Sequence, residues 1–208
     1  TGDEWHWADT AMILLKRDPS FANALMRPML EHFGEDGTIM HGVDSRARSV
    51  LNEILIINPV ETWREIANLL GPPVDAKSWH LKDWLRGGAF FGRETGPSPL
   101  ERIPIRELWS WVDDEVEERA WYLATMVPNR LFREDGKPCL AREVLVRYGA
   151  REDVQRNMAA NFSTEGWMGP ESLHYERKRE ELDTYLGLET HPLVRSWVRT
   201  YIDSLSSS

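Results

Sequence analysis

The stretch from His191 to Leu205, HPLVRSWVRTYIDSL, carries apolar side chains at Val194, Val198, Tyr201, Ile202 and Leu205. Spacings of three and four put these on one face of a helix, and Pro192 presets its first turn. The same period runs through most of the chain. Val116, Ala120, Leu123, Ala124 and Val127 mark one face of a helix over 114–127. Asp113, Asp114, Glu115, Glu117 and Glu118 load its first turn with carboxylates, where the helix dipole favours them. Asp18-Pro19 and Asn58-Pro59 mark further starts, a capping side chain followed by a residue suited to the first turn. His191-Pro192 has the same form with a weaker cap. Only VLNEILI, 50–56, has the Val and Ile content of a strand, and its place in the pattern makes it helix. The reading is all-α, about eleven helices with short connections. The segment 87–104, GGAFFGRETGPSPLERIP, is too rich in Gly and Pro for a helix interior and predicts the longest loop.

Pro19, Pro59, Pro104, Gly149 and Pro192 stand 40, 45, 45 and 43 residues apart, the period of paired-helix solenoid repeats. Trp63, Trp109 and Trp197 each fall in the second turn after one of these starts. LEHFGEDG, 30–37, resembles AANFSTEG, 159–166: in each, Phe near a helix end is followed four residues later by Gly. FSTEGWMGPES, 162–172, is therefore expected to close one helix and open the next, with Gly166 or Gly169 at the turn.

The apolar face after Pro192, with Arg195 following Val194, resembles the second helix of a HEAT repeat. Helix 114–127 matches in register but has Glu117 where that family usually has Arg. The resemblance implies an irregular HEAT-like array, an α-α superhelix of about five helix pairs. Segment 87–104 leaves open one continuous array or two bundles hinged there. Residues 100–205 further resemble helical regions of large bacterial multidomain proteins, STAND-type NTPases and sirtuin-like antiphage effectors. That resemblance implies a sensing or scaffolding segment of a longer chain.

Composition narrows the function classes. The 208 residues suffice for one large domain or two small ones, and no apolar run approaches the ~20 residues that span a bilayer. The start, TGDEWHW, has no signal-peptide pattern and is read as the edge of a cut piece. The single cysteine, Cys139, excludes an internal disulfide and suits a cytoplasmic location. Net charge is −9, with 13 Lys/Arg against 21 Asp/Glu in residues 1–129. Nucleic-acid affinity draws on cations that neutralise phosphates, so this balance argues against a nucleic-acid partner; it suits a basic protein partner or keeps the module soluble. Most of the ten tryptophans are expected to be packing.

Glu31, His32, Glu35, Asp36, His41 and Asp44 are permissible metal ligands, but their spacing matches no helical His pair and no zinc knuckle, so they read as a polar loop. Cys139, near a helix start, has no His partner legible in the sequence. No nucleotide-binding Gly loop, GxSxG elbow or HExxH motif is present. HYERKREEL, 174–182, reads as the wet face of a helix whose buried stripe is Tyr175, Leu182 and Leu186, with the Arg179 stem filling the gap. Trp167 and Met168, in one Gly/Pro-flanked turn, and Phe90 and Phe91, in the long loop, are the partner-binding candidates. Each is read either as pinning its loop or as meeting a partner. The expected role is a non-catalytic protein-interaction scaffold or sensor, with no cofactor and with a protein, or other domains of its own chain, as partner. The alternative is a HEAT-like nucleic-acid binder or DNA glycosylase-type enzyme.

Overall fold

A computed structural model describes residues 6–32, 43–70, 76–87, 96–164 and 170–205. The chain is all-α. The described residues form α1 (His6–Arg17), α2 (Phe21–His32), α3 (Val43–Ile57), α4 (Pro59–Ala67), α5 (Ala76–Arg86), α6 (Pro99–Arg102) and α7 (Ile105–Asp114). They continue with α8 (Val116–Ala124), α9 (Leu140–Tyr148), α10 (Glu152–Phe162), α11 (Glu171–Leu188) and α12 (Pro192–Leu205). Among these residues the only extended pairing is an isolated bridge between Phe132 and Pro138. VLNEILI is helical, and its Val50, Leu51, Ile54 and Leu55 are fully buried. Four of the five marked starts lie at a helix start: Pro19 precedes α2, Pro59 begins α4, Pro104 precedes α7 and Pro192 begins α12; Gly149 instead caps the end of α9, and α10 starts after Arg151.

Two compact units divide the chain between Asp114 and Glu115, the first containing α1–α7 and the second α8–α12. In the first, α3 packs against α1, α2, α4 and α6, and α4 meets α7. Trp63 and Trp111 make that last contact edge to face, with ring centroids 5.4 Å apart. Trp111 is buried there, whereas Trp109, the residue singled out by the repeat, is only half-buried. In the second unit α10 packs on α8 and α9, and α12 on α9 and α11. Its core includes Leu123, Val127, Val144, Met158, Phe162, Leu182 and Val198.

Three local expectations need correction. The helix expected over 114–127 begins at Val116, with Glu115 outside it at φ −144° and ψ 60°. Asp113 and Asp114 therefore end α7, at the dipole's unfavourable pole, and only Glu117 and Glu118 occupy the favoured first turn of α8. The segment 87–104 is not all loop: Ser98 and Glu101 form a reciprocal capping box around α6. Asn58 does not cap α4; its amide donates to Asn23 Oδ1 at 2.8 Å instead. The Asp18 expectation fares better, since its carboxylate accepts from the Ser20 amide at 3.0 Å just before α2. Those Ser20 bonds lower the Asp18 pKa.

Gly149 closes α9 where backbone comes close: a Cβ there would lie 2.2 Å from the Leu145 carbonyl oxygen. That oxygen already accepts from the Gly149 amide at 2.9 Å, so it cannot move aside. Gly187, inside α11, has open space around the same position. Gly149→Ala is expected to destabilise by about 1–3 kcal/mol through overpacking. Gly187→Ala should stabilise by roughly 0.5–1 kcal/mol by removing a flexible helix residue. Urea unfolding of both variants measures the two signs.

Candidate interaction surfaces

The last carbonyls of a helix lack partners within it and must find them elsewhere when buried. In the second unit, side chains of α10 and α12 supply them. Asn161, buried on α10, donates to the carbonyls of Ala124 at 3.1 Å and Val127 at 2.7 Å, at the end of α8. Gln155, also on α10, donates to the Gly149 carbonyl at 2.6 Å, closing α9. Arg195 donates through Nη1 to the carbonyls of Leu186 at 2.7 Å and Glu189 at 2.6 Å, closing α11. The Val-Arg pair that carried the HEAT resemblance thus fastens its helix to the preceding one.

Glu189 sits at the turn from α11 to α12 with its side chain fully buried. Its carboxylate accepts from Arg142 Nε at 2.6 Å and Nη2 at 3.0 Å, and from the amides of Thr190 at 2.8 Å and His191 at 2.6 Å. Burial pushes the carboxyl pKa up, but Arg142 and these two amides outweigh it and hold it below the ordinary value. Arg142 also pairs with Glu143 at 2.7 Å and lies over the Phe132 ring.

On α11 the inward stripe is Lys178, Leu182 and Tyr185, not Tyr175 and Leu186. Lys178, read from the sequence as solvated, is only 4% exposed. Its ammonium lies 5.2 Å from the Phe162 ring centroid and 3.3 Å from Glu181. Tyr185 donates its hydroxyl to the same Glu181. Burial and the Glu181 charge push the phenol well above its usual range.

Among the described residues, an aromatic groove and an exposed tryptophan are the surfaces considered for a partner. Between α10 and α12 lies a groove of about 270 Å³, lined by residues including Gln155, Arg156, Ala159, Trp197 and Tyr201. Trp197 and Tyr201 stack at 5.4 Å and 15°, Trp197 Nε1 donates to the Gln155 carbonyl, and Tyr201 shares a 3.0 Å bond with Ser163. Both polar atoms are already hydrogen-bonded within the unit, so what the two rings offer the groove is apolar area. In the first unit, Trp79 on α5 is 44% exposed and rests edge to face on His80.

The partner candidates Phe90, Phe91, Trp167 and Met168 lie outside the described residues, as do Gly166 and Gly169. Phe162 ends α10 and Glu171 begins α11, as expected for a stretch joining two helices. Of the ligand-like cluster, Glu35, Asp36 and His41 are likewise outside, and the described residues contain no group of three or more His, Cys, Asp or Glu able to hold a metal. Cys139 is buried before α9, its amide bonded to the Leu131 carbonyl. Sequence reasoning missed Trp79, although its i+3 and i+7 neighbours Lys82 and Arg86 were there to be read. It also missed Glu189, two of whose four donors come from Arg142, 47 residues away in sequence. Comparison with protein-family models, curated proteins and solved structures found no match.

Removing one member of a buried, hydrogen-bonded pair costs about 3–5 kcal/mol. Glu189→Ala is expected to lose that much in thermal or urea unfolding. Because the folded-state pKa lies below the unfolded value, the carboxylate's contribution is complete above about pH 4.5 and is lost as pH falls through the folded value. Glu189→Gln should flatten that part of the acid-unfolding profile.

Proposed function

We propose that this chain is a non-catalytic protein-interaction module, a scaffold or sensor segment of a larger bacterial protein, with defence against phage as the setting. Its helix pairs form a HEAT-like array in this reading, each pair burying its apolar face on the next. One observation carries the proposal: the polar side chains that join helices of the second unit, Asn161, Arg142, Glu189 and Arg195, serve helix ends and turns rather than a shared cavity. Polar groups used in this way hold surfaces in place, as they do for the α10–α12 groove; in the first unit the Arg48–Asp83 pair ties α5, which carries Trp79, to α3. The four helix starts found at Pro19, Pro59, Pro104 and Pro192 support the architectural part of the reading.

The test is affinity capture from the native host, with and without phage infection, using the intact protein, Ala159→Arg in the groove and Trp79→Ala on α5. A specific protein partner is expected with the intact chain and is expected to be lost with at least one variant that keeps its helical circular dichroism. Recovery of nucleic acid alone, or of the same proteins with all three forms, overturns the proposal.

A further inference from the structure

The groove between α10 and α12 has two chemically unlike walls. Gln155 of α10 lies beside Trp197 and Ser163 beside Tyr201, so the two helices run in the same direction along it. The stacked rings of Trp197 and Tyr201 contribute apolar area, and the small side chain of Ala159 keeps the lining open. On α12, Thr200 and Ser204 donate their hydroxyls back to carbonyls of their own helix, those of Ser196 at 3.1 Å and Tyr201 at 2.7 Å. On α10, Glu152 and Arg156 line the groove one turn apart and are exposed. Among the described residues neither of these two side chains has a hydrogen-bond or ion-pair partner. The volume of about 270 Å³ falls below the ~300–1,000 Å³ of small-molecule pockets, which suits protein side chains.

We propose that this groove receives one amphipathic helix of a partner protein, laid antiparallel to α10 and α12. Its apolar side chains meet Trp197 and Tyr201, and a Glu-to-Lys pair spaced i,i+4 beside them faces Arg156 and Glu152. This rests on the interaction-module reading and names its partner chemistry. An extended segment would turn unpaired amides and carbonyls toward the apolar rings, whereas a helix satisfies its own backbone and presents only side chains. Two helix dipoles pointing the same way favour a third pointing the other, because opposite partial charges then lie side by side at each end. In that direction the N-terminal end of the partner helix lies toward Arg156 and its C-terminal end toward Glu152, so its acidic residue precedes its basic one. The same order makes an i,i+4 pair support the helix that carries it.

The probe is a fluorescent Ala-rich helical peptide of about 15 residues with Leu at i, i+3 and i+7 and a flanking Glu-to-Lys pair. One control exchanges its Glu and Lys, and another replaces its Leu residues by Ser. By anisotropy the probe should bind the intact chain about threefold to tenfold more tightly than the exchanged peptide, a preference that shrinks with added salt. Loss of the Leu stripe should weaken binding by about tenfold or more, as should Ala159→Arg. The double variant Glu152→Arg/Arg156→Glu keeps the net charge and should invert the preference between the two charge orders. Lys137→Gln, on an exposed residue between α8 and α9, should leave binding unchanged. Circular dichroism establishes that each variant is folded. No binding of the probe at ~1 mM, equal binding of the Ser peptide, insensitivity to Ala159→Arg, or an unchanged charge preference in the double variant each overturns the inference. A dimer of the intact chain that Ala159→Arg abolishes would give the groove to a second copy and also overturn it. If the probe does not bind but affinity capture yields a host protein that Ala159→Arg loses, this inference falls while the interaction-module reading stands. If no form captures a specific protein, that reading falls first.

Discussion

The second unit is organised by the need to satisfy the carbonyls at the ends of buried helices. Water cannot reach these groups freely, and each left unpaired costs a substantial part of a small domain's net stability. Asn161, Gln155 and Arg195 meet the need for α8, α9 and α11 respectively. Apolar packing alone would let neighbouring helices slide or rotate, because it has no directional preference. A side-chain donor aimed at a particular carbonyl removes that freedom. The result is a unit whose helix order is pinned by a few named bonds across an otherwise oily core.

Glu189 adds a second kind of pin. A buried ion pair is weak evidence for stability by itself, since desolvating two charges costs about as much as their attraction returns. Here Thr190 and His191 amides join Arg142 at the carboxylate, so both oxygens are satisfied and the turn into α12 is held to α9. Lys178 shows the same economy with an aromatic partner, its charge placed over Phe162 and beside Glu181. These groups are charged because position matters at helix junctions, and their perturbed environments express structure before chemistry.

In the first unit the charged residues behave differently. Arg48 and Asp83 join α3 to α5, while Lys82 and Arg86 share their side of α5 with an exposed tryptophan. The groove between α10 and α12 sets the stacked Trp197 and Tyr201 rings among Glu152, Arg156 and Thr200.

Helical class and most helix starts were legible in the sequence, because apolar spacing, proline at the first turn and capping residues act over three or four positions. The apolar faces of α12 and α8 and the helical fate of VLNEILI follow from such local rules. The S-x-x-E box at Ser98 was equally local and equally legible, though hidden in a segment dominated by Gly and Pro. What lay beyond local rules was the choice of partner. Lys178 points inward because Phe162 and Glu181 accept its charge, and Asn161 and Arg142 matter because of groups 37 and 47 residues away. Trp79 was legible as a residue but not as a surface, since exposure depends on which side of α5 the rest of the unit covers. Local periodicity determined that this chain is helical; only tertiary packing decided which charges it buries, which helix ends they close and which face it leaves open, because those outcomes depend on contacts that sequence spacing does not encode.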